Sequence, residues 1–217
     1  NNHYQKMIDS VILIARQAGD IILDVYNSEF DIYIKNDQSP LTEADKLAHK
    51  FISSKLKNID PKIPILSEEG QNISYKYRSE WEYYWLVDPL DGTKEFINKN
   101  DDFTVNICLI KNNSPILGVV YAPVYNLLYW AIEGKGAYKI DMNNEIKKIT
   151  VKGSLDIPVK ITVSRSHPSL ELNNFISQFS EYNLIPAGSS LKICSVAEGT
   201  VHLYPRLGPT MEWDTAA

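Results

Sequence analysis

The stretch Trp85-Leu86-Val87-Asp88-Pro89-Leu90-Asp91-Gly92-Thr93 decides how the rest of the chain is read. An apolar run of strand character leads straight into two aspartates three residues apart. Side chains on a continuing strand alternate faces, so these two would point oppositely; Pro89 and Gly92 instead predict a turn that gathers Asp88 and Asp91 at one point. Two carboxylates that close repel unless one is protonated or a cation lies between them. A hard divalent cation such as Mg²⁺ suits such a place, because it takes oxygen ligands and the turn also offers the Leu90 carbonyl. Taken alone, the same residues read equally as an Asp-Pro and Asp-Gly turn that merely ends a strand.

Two further segments tip that balance. Leu66-Ser67-Glu68-Glu69-Gly70 sets adjacent acids at the end of an apolar strand, a costly arrangement if nothing compensates it. Met211-Glu212-Trp213-Asp214-Thr215-Ala216-Ala217 places an acid beside Trp and before small helix-forming residues, where a helix N-cap at Asp214 is the plain alternative. Other acidic motifs fail on spacing. Two residues, not one, separate Asp88 from Asp91, which excludes the Asp-x-Asp pattern of haloacid-dehalogenase-type phosphatases, and Asn98 to Asp102 lacks the acid spacing of a calcium loop. There is no phosphate-binding Gly-x-x-x-x-Gly-Lys loop, nucleophile elbow or zinc spacing. His3, His49, His167 and His202 are scattered and read as ordinary.

Outward from these motifs the pattern is that of a soluble globular chain: 217 residues, 44% hydrophobic and 23% charged, with 27 acids against 22 bases for a net charge of −5. Disorder and a collagen-like fibre are excluded, and the acidic total speaks against a broad nucleic-acid or anionic-membrane surface. The longest apolar runs, Val11 to Ala15 and Tyr83 to Val87, are about a quarter of a membrane span. The start, Asn1-Asn2-His3-Tyr4, has neither Met nor a signal-like block and reads as trimmed. Cys108 and Cys194 lie in apolar surroundings and read as reduced core thiols in a reducing compartment.

Periodicity predicts a long amphipathic helix over residues 4 to 27, then a short alternating segment from Phe30 to Lys35. A second helix, capped at Thr42 with Asp45 three residues on, runs to about Leu56 and buries Leu47, Phe51, Ile52 and Leu56. Strands follow at Ile63 to Ser67, Tyr83 to Val87, Thr104 to Ile110, Leu117 to Tyr121 and Leu127 to Ile132. From about residue 155 the chain reads βαβαβ: Val159 to Val163, a helix from Pro168 to Phe179, a strand near Leu184, a helix from Ser190 to Glu198 and a strand from Val201 to Tyr204. This predicts two lobes, 1–154 and 155–217, sharing one compact unit.

Together, Asp88-Pro89-Leu90-Asp91-Gly92-Thr93, Ser67-Glu68-Glu69-Gly70 and Trp213-Asp214-Thr215-Ala216-Ala217 resemble the signatures of the inositol monophosphatase family of metal-dependent, lithium-sensitive phosphatases. Ser39-Pro40-Leu41-Thr42-Glu43-Ala44-Asp45, Gly188-Ser189-Ser190-Leu191-Lys192 with Ile193 to Gly199, and Tyr204-Pro205-Arg206-Leu207-Gly208-Pro209-Thr210 are similar to its bacterial CysQ-type branch, the 3′(2′),5′-bisphosphate nucleotidases. The resemblance implies an α+β and α/β fold, a layered αβαβα sandwich with the active site between the lobes. It implies a Mg²⁺-dependent phosphomonoesterase that converts adenosine 3′,5′-bisphosphate, or its 2′,5′ isomer, to AMP and phosphate in sulfur metabolism. Inositol or sugar monophosphate hydrolysis is the alternative within the family.

By motif, the resemblance implies Glu68, Asp88, the Leu90 carbonyl, Asp91 and Asp214 as metal ligands for two to three Mg²⁺ ions, with inhibition by Li⁺ and Ca²⁺. Asp45 and Thr93 match the pair that orients the attacking water, with Glu69 close by as a third catalytic residue that helps place a third metal. Substrate contacts are expected from Glu68, Leu90, Asp91, Gly92, Thr93, Gly188, Ser189, Lys192 and Asp214. Lys192 and the Gly188-Ser189-Ser190 turn also read as a helix N-cap followed by a surface lysine, and Arg206 is open between a ligand contact and an interlobe contact. The expected setting is cytoplasmic, with a peripheral place at the inner membrane face as an option; a monomer or homodimer acts on a small phosphorylated nucleotide, with no nucleic-acid partner and no integral membrane segment. Relatives of this family continue past the Trp213-Asp214 helix, so the C-terminal end reads as truncated, which raises the further alternative of a metal- or nucleotide-binding protein without turnover. Removing the six acids of the expected site from the net charge of −5 leaves +1: the acidic balance belongs to the site.

Overall fold

A computed structural model describes residues 2–35, 40–165 and 170–217. Ser39, His167 and Pro168, which enter the sequence reading, lie outside the described residues.

Helix α1 (Asn2–Tyr26) buries Ile8, Val11, Ala15, Ala18 and Ile22 along one stripe, as its three- and four-residue spacing demands. After the short antiparallel pair β1 (Ile32–Ile34) and β2 (Pro40–Thr42), helix α2 (Glu43–Ile59) lies against α1 and buries Ala44, Ala48, Ile52 and Leu56. Two expectations for α2 are corrected. Leu47 is 40% exposed and Phe51 half-buried, because the small Ala44 and Ala48, not the larger residues beside them, occupy the stripe facing α1.

Seven strands then form one sheet: β3 (Ile65–Ser67), β4 (Tyr83–Asp91), β5 (Thr104–Lys111), β6 (Ser114–Ala122), β7 (Leu127–Ile132), β8 (Gly136–Ile140) and β9 (Ile146–Ile149), in sequence order across the sheet. Only β3 pairs in parallel, with β4; the rest is an antiparallel meander. The short helices α3 (Tyr75–Arg78) and α4 (Thr93–Ile97) flank β4 in sequence. Trp85, Val87, Ile107, Leu109 and Val119 face α1 and α2, whereas Leu66, Tyr84, Leu86, Cys108 and Ile110 face the other way, onto Trp81 and Trp213. Strands β8 and β9 do not appear in the sequence expectations.

A smaller parallel pair, β10 (Val159–Ser164) and β11 (Tyr182–Ala187), carries α5 (Leu170–Ile176) on its connection, with Val159, Ile161 and Ile176 as its core. Helix α6 (Leu191–Ala197) packs Cys194 and Leu191 against Val120 and Tyr129 of the large sheet and also meets β10. The layers are therefore α1/α2, the seven-stranded sheet, α6, the two-stranded sheet and α5. The strand expected over Val201 to Tyr204 is reduced to one bridge between Leu203 and Ile161. Both cysteines are free and buried, and no described helix is long and apolar enough to cross a membrane.

Candidate active site

The two aspartates of β4 meet by a route other than the expected turn. Strand β4 continues through Asp91, but Asp88 pairs with Asn106 and Asp91 with Thr104: three residues of β4 span two of β5. The extra residue is a β-bulge, which puts Asp88 and Asp91 on one face as if they were two apart. Pro89 has no N–H to continue the ladder, and so fixes where the irregularity falls. Gly92 then ends the strand at φ +94°, a conformation costly for any side chain, and a Cβ there would also lie 3.0 Å from the Asp102 carbonyl.

Asp214 arrives from the other end of the chain on a 3-10 turn, Glu212–Asp214. Met211 is the N-cap and Asp214 the third residue of that turn, its carboxylate reaching back to the Met211 amide (3.1 Å) and the Thr210 hydroxyl (3.0 Å). The N-cap reading of Asp214 is thereby corrected. Carboxylate oxygens of Asp88, Asp91 and Asp214 lie within 4.8 Å of one another. Burial, and then the neighbouring charges of Asp91, Glu68 and Asp214, push Asp88 well above the usual carboxylate range. Asp91 is pushed up to about 6 by burial and by Asp214, against the opposing pull of the Ser190 hydroxyl and Lys192. Three acids held in mutual repulsion, with oxygen donors only, form a donor set that fits a hard divalent cation.

Beside them, Thr93 opens α4 and its hydroxyl lies 3.2 Å from Asp45 Oδ1 and 3.4 Å from the Leu90 carbonyl. Asp45 is buried at the start of α2, where its other oxygen accepts from the Thr42 amide (2.7 Å) and hydroxyl (2.6 Å). Burial raises its proton affinity in spite of those bonds. Glu68 and Glu69 leave the end of β3 together, and Lys35 reaches both, 2.9 Å from Glu68 Oε1 and in a still closer pair with Glu69. Burial raises the Glu69 pKa, opposed by Lys35; for Lys35 burial acts downward, but its bonds to Glu69 and Glu68 prevail and raise it.

These groups open onto a cleft of about 730 Å³. Glu68, Asp88, Leu90, Asp91, Gly92, Thr93, Ser189, Lys192 and Asp214 line it, as do Lys35, Tyr204 and Arg206. Asp45, Glu69 and Gly188 do not: the first two stand behind Thr93 and Lys35, and Gly188 is packed so closely that a Cβ would lie 2.6 Å from Asp102 Cβ. Gly188 is thus a packing residue, its amide donating to Asp102 Oδ2 (2.9 Å), which also accepts from Arg165 Nε (2.9 Å). Lys192 is buried, not the surface lysine of the alternative reading; its ammonium donates to the Ser189 carbonyl (2.7 Å) and lies 5.5 Å from the Tyr204 ring centre. Burial lowers its pKa, partly offset by Asp91 and Glu95. Arg206 lines the wall with Nη2 on the Pro209 carbonyl (2.6 Å). His49 meets Ser67 Oγ (2.9 Å), and His202 Nδ1 accepts from the Lys160 amide (2.8 Å).

Sequence reasoning missed Lys35, Asp102 and Asn106. None belongs to a motif, and each is recognisable only by what folding puts next to it.

The bulged aspartate pair, the Glu68-Glu69 corner and the Asp45–Thr93 contact on this layered scaffold define a class. The chain belongs to the inositol monophosphatase family, whose profile matches residues 3–217. Among curated relatives, it is 50% identical over 213 residues to the 3′(2′),5′-bisphosphate nucleotidase CysQ of Escherichia coli O6:H1 (strain CFT073), covering 97% of this chain and 85% of that protein. The CysQ nucleotidase of Buchnera aphidicola subsp. Acyrthosiphon pisum is 44% identical over 219 residues, 100% of this chain and 81% of its own length. Among solved structures, CysQ from Bacteroides thetaiotaomicron superimposes with a TM-score of 0.87 at 41% identity, covering 100% of this chain and 85% of that one.

Proposed function

We propose that this protein is a Mg²⁺-dependent 3′(2′),5′-bisphosphate nucleotidase that converts adenosine 3′,5′-bisphosphate, or its 2′,5′ isomer, to AMP and phosphate. The observation that carries the reading is one cleft holding both a three-carboxylate cluster beside the Asp45–Thr93 pair and, on its other wall, the buried cation of Lys192. The 50% identity to a named nucleotidase supports the substrate. Glu68, Asp88, Asp91, Asp214 and the Leu90 carbonyl would hold two to three Mg²⁺ ions. When bound, these offset the charge of the phosphate and make a water more acidic.

The chain's own groups then divide the work. Thr93 Oγ1 donates to Asp45 Oδ1, which leaves its lone pairs free to accept a proton from a water in the cleft. Asp45, whose burial favours the protonated form, takes up the proton that Thr93 relays. The water oxygen attacks phosphorus in line, the P–O bond to the ribose breaks, and the ribose oxygen leaves with the bonding pair and takes a proton from a second water of the solvent-open cleft, while Asp45 later returns its proton to solvent. Thr93 and Lys94, the first two residues of α4, line the cleft, and the start of this short helix faces the side on which a phosphate would bind. Lys192 and Ser189 face the second phosphate or sugar across the cleft. A division near residue 154, between the large sheet and the β10–β11 lobe, gives the cleft its two walls. The two free, buried thiols support a reducing, cytoplasmic setting.

The test is a phosphate-release panel with adenosine 3′,5′-bisphosphate, inositol 1-phosphate and fructose 1,6-bisphosphate, with Mg²⁺ and with chelator, and with Li⁺ and Ca²⁺ added to the Mg²⁺ reaction. The expected result is a kcat/KM for the bisphosphonucleotide far above the other two, dependent on Mg²⁺ and reduced by Li⁺ and by Ca²⁺. A preference for inositol or fructose phosphate would move the protein to the sugar-phosphatase reading. Tight nucleotide binding without any release would make it a binding protein.

A further inference from the structure

Between the cation cluster and the nucleotide-side turn runs a chain of buried hydroxyls and an amide. Thr104, Asn106 and Ser190 are each at most 5% exposed. The Thr104 hydroxyl donates to Asn106 Oδ1 (3.0 Å), which turns the amide so that Nδ2 donates to Ser190 Oγ (2.7 Å). Ser190 Oγ lies 2.7 Å from Asp91 Oδ2 and 3.0 Å from the Asp214 backbone carbonyl. A hydroxyl has one hydrogen, and the shorter contact to a charged acceptor takes it. Asn106 Nδ2 also lies 3.4 Å from Asp91 Oδ2, so the amide and the shorter-bonded Ser190 hydroxyl converge on one carboxylate oxygen, with Thr104 fixing the amide from behind.

The route crosses the molecule. It begins on β5, passes to the residue before α6, and returns to β4 at a carboxylate of the cluster, touching the Asp214 turn on the way. We propose that Ser190, aligned by Asn106 and Thr104, is a positioning residue that orients the Asp91 carboxylate for cation binding. The inference rests on the cation reading of the site given above. Ser190 itself touches no cation; it acts through Asp91.

The experiment compares the unsubstituted protein with Ser190→Ala, Ser190→Thr and Thr104→Val. Three quantities are read: Mg²⁺ affinity by calorimetric titration, kcat and KM for phosphate release from adenosine 3′,5′-bisphosphate, and melting temperature in chelator. A hydrogen bond to a charged acceptor predicts about tenfold weaker Mg²⁺ binding in Ser190→Ala, with kcat reduced more than KM is raised. Ser190→Thr, which keeps the hydroxyl, is expected within about threefold of the unsubstituted protein, and Thr104→Val to lose about threefold from the far end of the series. Mg²⁺ affinity in Ser190→Ala within twofold of the unsubstituted protein overturns the proposal. If the added methyl of Ser190→Thr disturbs the site, Thr104→Val decides: a loss of Mg²⁺ affinity at unchanged melting temperature supports the relay, and no loss refutes it. An unsubstituted protein that binds Mg²⁺ but releases no phosphate from the nucleotide would refute the substrate reading alone, since the Mg²⁺ titrations judge the relay independently.

Discussion

Replacing Asp91 by Asn separates stability from activity, because the native carboxylate is held where it is electrostatically unwelcome. Its pKa stands at about 6 in the folded protein against an ordinary 3.8. That difference corresponds to about 3 kcal/mol of folding free energy lost once the group is ionised in both states. Asp91 is partly exposed on the cleft wall, so solvent screening reduces the expected figure to about 2 kcal/mol. Asparagine keeps an oxygen to accept the Ser190 hydroxyl, so the substitution removes charge with little loss of hydrogen bonding. The folded-state value lies above the unfolded one, which fixes the sign: the penalty is absent below pH 3.8, builds as pH rises to about 6, and is complete above. In chelator at pH 7.5, Asp91→Asn is therefore expected to melt about 4 to 8 °C higher than the unsubstituted protein, a gap that closes toward pH 4. Mg²⁺ at about 100 times its dissociation constant adds about 2.7 kcal/mol to the unsubstituted protein and reverses the order. Phosphate release by the variant should be lost throughout. Thermal scans at pH 4, 5.5 and 7.5, with chelator and with Mg²⁺, read all of this. A variant less stable than the unsubstituted protein in chelator at pH 7.5, or a gap unchanged at pH 4, would refute the picture of a cluster under repulsion.

Asp45→Asn should lower kcat by about 10² to 10⁴-fold with KM little changed, since the group handles a proton and does not bind substrate; steady-state phosphate release over a substrate range measures the split. Gly188→Ala drives a methyl group to within 2.6 Å of Asp102 Cβ and 2.7 Å of the Asp102 carbonyl. It is expected to cost about 1 to 3 kcal/mol in urea unfolding and to raise KM, because the turn carrying Ser189 and Lys192 must shift. An unchanged urea midpoint would show that the two segments can part without penalty.

The local parts of the site were legible because each rests on a few adjacent residues. Glu68-Glu69 and Asp88-Asp91 carry their chemistry in their spacing, whereas Thr93 and Asp45 enter the site only through the family resemblance, since three residues after Thr42 an acid reads simply as part of a helix cap. What joins them was not legible. Pro89 and Gly92 predict a turn, yet a bulge meets the same need while β4 keeps its pairing with β5. Lys35 lies 33 residues from Glu68, and Ser190 lies 99 residues from Asp91. Strand β9, Ile146–Ile149, escaped because it is an exposed edge whose central lysines guard against further pairing and erase the apolar alternation that marks a strand. In α2 the reverse error occurred: large apolar side chains drew the prediction, while small alanines form the stripe that lets α1 approach.

The gathering of Asp88, Asp91 and Asp214 also sets a timetable for the molecule's birth. Ribosomes issue the chain at about 5 to 20 residues per second, and its N-terminal parts can fold first. The bulged pair and the large sheet through β9 are complete by residue 149, whereas the third carboxylate comes 65 residues later. A nascent chain that has made its sheet therefore spends several seconds carrying two facing acids without the third. No polysome-bound fragment short of residue 214 holds the full set, so a chain interrupted in synthesis is left without the cluster.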